Sequence, residues 1–136
     1  MNPSETEFRV EETYDLAGQV IGLAMKVHRT LGPGFLESVY HRALCIELEG
    51  AGLGFETEKP ITVRYLDAVV GEFKADLIVG RQLIVEIKAV NGLVAPHEVQ
   101  LVNYLATTGL DEGLLLNFGV SSLEFKKKYR IYRQTK

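Results

Sequence analysis

The sequence predicts an α/β fold of the α+β sandwich kind: a mixed sheet with an antiparallel meander, flanked by helices, in the order ααβββαββ. Three observations carry this. Apolar residues recur at steps of three and four from Leu16 to Leu48, the period changes to alternation beyond Gly54, and a further helical stretch after Pro96 separates that block from two short final strands.

The residues up to about Val10 read as a frayed acidic N-terminus, and 11–136 as a single domain without repeat, low-complexity tract or dividing linker. A first helix runs from about Glu12 to Thr30, because Leu16, Val20, Leu23, Val27 and Leu31 form one stripe; Gly32-Pro33-Gly34 stops it. A second helix, from about Phe35 to Glu49, is closed by the glycine-rich stretch Gly50 to Gly54. Alternation then marks strands at Ile61 to Leu66, Val69 to Val79 and Leu83 to Ala89, with turns at Leu66-Asp67-Ala68 and Gly80-Arg81-Gln82. Pro96 suits the first turn of a third helix that ends at Gly109 and turns Val99, Val102, Leu105 and Ala106 to the core. Leu114 to Phe118 and Phe125 to Arg133 are the last two strands.

Composition narrows the function classes. A chain of 136 residues, 46% hydrophobic and 24% charged, is long enough to bury a core without disulfides. Its single cysteine, Cys45, reads as core, and no Cys/His spacing resembles a zinc cage. No apolar run approaches a membrane span, and the polar N-terminus is unlike a signal peptide, so a reducing, cytoplasmic location is expected. The net charge of −3 argues against coating nucleic acid by charge alone. Yet charge is unevenly spread: Glu5, Glu7, Glu11, Glu12 and Asp15 crowd one end, while Lys126, Lys127, Lys128, Arg130, Arg133 and Lys136 crowd the other. The basic run is either a solvated, lysine-protected edge strand or a rim that contacts phosphates.

The chemistry is expected where charge recurs inside apolar strands. Glu72, Lys74, Asp76 and Ile78 share one strand face, opposite Phe73, Ala75, Leu77 and Val79; Ile84, Glu86 and Lys88 share another. A three-residue loop, Gly80-Arg81-Gln82, sets Val79 opposite Leu83 and brings Asp76 across from Glu86. Two carboxylates about 5 Å apart either raise a pKa or recruit a cation. Oxygen ligands favour a hard ion, magnesium before manganese, and Lys88 beside it could orient an attacking water. The competing reading is a solvent-facing ladder of charges. On the second helix Glu37 heads the stripe of Tyr40, Leu44 and Leu48 and is expected to point inward; otherwise it only offsets the helix dipole. On the third, His97, Gln100 and Tyr104 align, and Gln100 could bond a phosphate, a base or a water. His28, His41 and His97 lack mutual ligand spacing and read as surface or boundary residues. A glycosidase-type acid pair is disfavoured because Lys88 would keep Glu86 ionised.

The run Leu31-Gly32-Pro33-Gly34-Phe35-Leu36-Glu37-Ser38-Val39-Tyr40 resembles the signature of the GxxExxY proteins, a bacterial and archaeal group within the PD-(D/E)XK nuclease superfamily. Asp76 to Val79, Val85 to Ala89, His97 to Leu105 and Gly113 to Gly119 also fit, in the expected order, so the likeness covers about Leu31 to Arg130. It implies a restriction-endonuclease-like core in which Asp76 and Glu86 bind metal; the expected ion is Mg2+, or Mn2+, held by these two and the main-chain carbonyl of Ile87. The resemblance further implies that Lys88 serves the attacking water, Glu37 supports the metal site and Gln100 stands on the following helix. Alanine, rather than proline, precedes Asp76.

The expected function is a metal-dependent nuclease that hydrolyses DNA, and less readily RNA, with Tyr104, Lys126, Lys127, Lys128 and Arg130 on the substrate. The alternative is a catalytically weak or inactive module of the same shape that binds nucleic acid or a protein partner. Small nucleases often pair to cut both strands, which makes a homodimer an option.

Overall fold

A computed structural model describes residues 16–130; the acidic N-terminus, the start of the first helix, and Arg133 and Lys136 lie outside them. Helix α1 covers Leu16–Leu31 and buries Ala17, Val20, Ile21, Ala24, Val27 and His28. It ends as expected: Gly32 takes φ 69°, and its N–H bonds the His28 carbonyl at 2.8 Å. Helix α2, Glu37–Gly50, begins two residues later than expected because Leu36 is extended, with ψ 154°.

Among the described residues, five strands follow in one sheet, in chain order: β1 (Phe55–Tyr65), β2 (Ala68–Val79), β3 (Leu83–Lys88), β4 (Glu112–Asn117) and β5 (Glu124–Tyr129). Of these, β3 and β4 are parallel, joined through helix α3 (Ala95–Thr108); the other neighbours are antiparallel. The mixed sheet with an antiparallel meander is therefore present. Strand β1 starts at Phe55 rather than Ile61. Its first half, Phe55 to Pro60, is largely exposed and carries no apolar alternation, so its extended form comes from pairing with β2 rather than from burial.

Apolar side chains pack on both faces. On one, α1 and α2 cover Leu77, Val79, Leu83, Val85, Ile87, Leu114, Leu116 and Phe118; on the other, α3 covers Ile61, Ala75, Ile78, Ile84 and Leu115. Burying each such leucine or isoleucine contributes about 1.5–3 kcal/mol. Close approach of α3 requires Gly113, where a Cβ would lie 2.8 Å from Leu101.

Two expectations about faces are corrected. In α3 the core residues are Leu101, Tyr104 and Leu105, while Val99 is 57% exposed and Ala106 is exposed. The β-branched and small residues fit the periodic stripe equally well, but the larger Leu101 and Tyr104 bury more area. In β2 the alternation does not run through. Phe73 packs on Tyr104 and Ala75 joins the α3 cluster, whereas Leu77 and Val79 join the opposite cluster. The phase reverses at Asp76.

Candidate active site

Asp76 sits where β2 is released from both neighbours. Towards β1, pairing skips from Thr57↔Leu77 to Lys59↔Ala75, and the intervening Glu58 takes φ 53°. Towards β3, the ladder runs Val79↔Leu83, Ile78↔Ile84, Leu77↔Val85 and stops. The register expected from the three-residue loop is thus found, but Asp76 and Glu86 meet through side chains rather than as a ladder pair. The Asp76 N–H donates to Glu86 Oε2 at 2.8 Å, and the Ile87 N–H donates to Asp76 Oδ2 at 2.7 Å. Each carboxylate so replaces a missing ladder bond with a charge-assisted one and keeps a second oxygen for other use.

Burial makes this pair costly to ionise, and Lys88 does not keep Glu86 ionised as expected, because its charge is outweighed by burial and by Asp76. Glu86 is only 5% exposed, and its carboxyl is pushed up to about 8, first by burial and then by the Asp76 charge. Asp76, half-buried, is also raised, chiefly by burial. Lys88 is half-buried; its charge favours ionisation of Glu37, Asp76 and Glu86, yet it forms no direct ion pair among the described residues.

Glu37 does not point inward as expected. It is exposed at the first turn of α2, while Tyr40, Leu44 and Leu48 of its stripe are fully buried. A carboxylate at the open end of an apolar stripe stays in water, and the helix start leaves it room to do so. Its carboxyl is nevertheless sheltered enough to be raised, first by burial and then by Asp76, with Lys88, His41 and His97 opposing. Glu37 therefore borders the carboxylate pair from its rim.

The loop before it explains the Gly-Glu-Tyr spacing. Tyr40 donates its hydroxyl to the Gly32 carbonyl at 2.6 Å, accepts from the Phe35 N–H at 3.1 Å, and stacks on Phe118 at 4.6 Å. With Gly32 and Gly34 at positive φ, this pins the chain that delivers Glu37.

On the other face of the sheet α3 carries Gln100 and Tyr104, and of the two it is Tyr104 that lies in the field of the acids. Gln100 is half-buried and makes no side-chain hydrogen bond among the described residues. Tyr104 is 7% exposed, and its phenol is raised by burial, then by Glu86 and Asp76. It is mainly a core residue whose hydroxyl lies in the field of the acids. Ile87 gives its side chain to the α1/α2 core and its N–H to Asp76.

The basic run does not form one rim. Lys126 pairs with Leu115 and Lys127 with Leu114, which places them on opposite faces of the edge strand. Lys128 is ion-paired with Glu98, and Arg130 with Asp111 at 3.0 Å.

Sequence reasoning missed several groups here. His41 points its Nε2 at the Asp76 carbonyl at 3.1 Å; a carbonyl only accepts, so that nitrogen carries the proton. Its position four residues after Glu37, on the same helix face, was the available signal. His28 is buried, not at the surface, and bonds the Val120 carbonyl at 2.8 Å. Cys45 is half-buried against the core. Asn117, fully buried, accepts from the N–H groups of Val90 and Gly119 and donates to the Val90 carbonyl and to Glu124, which in turn accepts from the Leu93 N–H. That network fixes the loop between Lys88 and α3.

Among the described residues no three His, Cys, Asp or Glu side chains form a metal cage. The donor set available is two carboxylates and main-chain oxygen. It fits a hard divalent cation, because two buried acids that resist joint ionisation are the ligands such a charge would stabilise.

A mixed five-stranded sheet between helices, parting at an Asp/Glu pair with a lysine two residues on, defines a restriction-endonuclease-like core. The chain belongs to the PD-(D/E)XK nuclease superfamily, whose sequence profile matches residues 14–130, and it is a nuclease-like module. The match stands at the superfamily level; the narrower GxxExxY grouping rests on the motif around Glu37. Among solved structures, the crystal structure of SSO0001 is similar, with a TM-score of 0.58 and 22% identity over 71% of this chain. The similar region spans 50% of that longer chain, and the likeness is one of fold. No curated protein matches the sequence.

Proposed function

We propose that this protein is a divalent-metal-dependent phosphodiesterase that cuts DNA, and RNA less readily, by in-line attack of water and leaves a 5′-phosphate. The observation that carries this reading is the Asp76/Glu86 pair, held together where β2 and β3 part, with Lys88 beside it and, among the described residues, no direct ion pair to occupy it. Asp76 Oδ1, Glu86 Oε1 and the Ile87 carbonyl would hold Mg2+, with Mn2+ as substitute. Bound there, the ion supplies Lewis-acid polarisation of a phosphate and a lowered pKa for water.

The chain's own groups do the rest. Lys88 orients the attacking water and offsets charge that grows on phosphorus. Glu37 steadies the site from the rim of α2, and Gln100 hydrogen-bonds a phosphate, a base or the water. Tyr104 presents its hydroxyl to the substrate, and Lys126 and Lys127 meet the backbone further out, joined by Lys128 and Arg130 only where their ion pairs open. A cytoplasmic location and a homodimer for cutting both strands belong to the same proposal. Single- and double-stranded DNA and RNA incubated with Mg2+, Mn2+ or EDTA test it, with Glu86→Gln and Lys88→Ala as controls. Metal-dependent cutting by the wild type alone is expected. Failure to cut any substrate, with binding that ignores EDTA, would replace it with a binding module of nuclease shape, a reading that the net charge of −3 favours.

A further inference from the structure

The backbone of Asp76 poses its own problem. Both neighbouring ladders release it, and a buried carbonyl without a partner would cost roughly 1–3 kcal/mol. The N–H is satisfied by Glu86, from the adjacent strand. The carbonyl is satisfied from elsewhere, by His41 Nε2 at 3.1 Å, across from α2. That bond links the helix carrying Glu37 to the residue at which the sheet opens.

We infer that His41 is a positioning residue: by donating Nε2–H to the Asp76 carbonyl it anchors the backbone where the β2–β3 pairing stops and fixes the aim of the Asp76 carboxylate. Three features support this. The Asp76 carbonyl can only accept, so the imidazole must donate. The helix turn that presents His41 is rigid, because Tyr40 beside it is clamped to Gly32, Phe35 and Phe118. Asp76 Oδ2 is already tied to the Ile87 N–H, so backbone and carboxylate are held at separate points and rotation of the side chain is restricted. Without the histidine, the Asp76 carbonyl loses this donor and the backbone at the gap in the ladder is free to rotate. That rotation would redirect the Asp76 carboxylate.

The inference rests on the metal-binding reading above, and the test separates the two. Mn2+ affinity is measured by calorimetry on the intact chain, without substrate, for wild type, His41→Leu, His41→Asn and His41→Gln, alongside thermal unfolding in EDTA. The leucine removes the donor, the asparagine keeps an amide too short to reach, and the glutamine places an amide N–H near Nε2. Expected is a loss of about 10- to 100-fold in Mn2+ affinity for the first two and recovery to within a few-fold for glutamine. Wild-type affinity in either short variant would overturn the inference alone, as would a glutamine variant that folds but binds as poorly as leucine. Wild type that takes up no Mn2+ would overturn both readings. Should His41→Leu fail to fold, the asparagine and glutamine pair still decides.

Discussion

At the scale of single residues, the site is organised around an acid that the fold makes hard to ionise. Glu86 is expected to titrate about 8 when folded, against 4.5 when unfolded. Between those values the folded state binds more protons than the unfolded one, so without metal the stability should fall as pH rises from about 4.5 to about 8 and level off above. Asp76 is raised too and adds in the same direction. Urea unfolding in EDTA across that range should show a decline of a few kcal/mol in order of magnitude; stability that climbs with pH would contradict it. Glu86→Gln should remove much of the slope and raise stability near pH 8 by about 1–3 kcal/mol, while abolishing metal uptake. Lys88 makes the complementary prediction. Lys88→Met keeps the apolar stem and loses the charge, so cutting should drop about 10²- to 10⁴-fold while Mn2+ affinity changes little. A Lys88→Met protein that cuts as wild type would remove lysine from the chemistry.

At the scale of elements, two clamps bring helices to the parting strands. Tyr40→Phe keeps the stack on Phe118 but deletes both hydroxyl bonds, so about 1–2 kcal/mol of stability should be lost and the loop before Glu37 loosened. Faster amide exchange at Phe35, measured against an unchanged β3, is the readout. On the other side, Asn117 and Gly119 hold the β3–α3 loop. A Cβ at residue 119 would lie 2.3 Å from the Val90 carbonyl oxygen, so backbone must move. Gly119→Ala should cost about 2–4 kcal/mol, read from the urea midpoint at constant slope. Neither clamp was legible in the linear pattern: an asparagine inside an apolar strand and a glycine after it announce a turn, not which loop they grip.

At the scale of the whole molecule, charge limits how nucleic acid is met. Lys126 and Lys127 lie on opposite faces, and Lys128 and Arg130 are engaged with acids. Binding should therefore release few counterions. A log–log plot of DNA affinity against salt is expected to slope about −1 to −2, well short of four full phosphate contacts at about −0.9 each. Fluorescence anisotropy over a salt series measures it; a slope near −4 would mean that both bridges open on binding.

The sequence by itself determined the order of elements, the tight β2–β3 loop and the pairing register it imposes. These follow from period and turn chemistry, which are local. It also marked Asp76, Glu86 and Lys88 as charges in apolar strands, visible because burial of charge violates pattern. Only the tertiary structure decided the phase reversal at Asp76, the rim position of Glu37, the core face of α3 and the reach of His41. Each of these depends on which distant backbone group lacks a partner, and hydrogen-bond satisfaction across elements is settled when the sheet and helices meet in three dimensions.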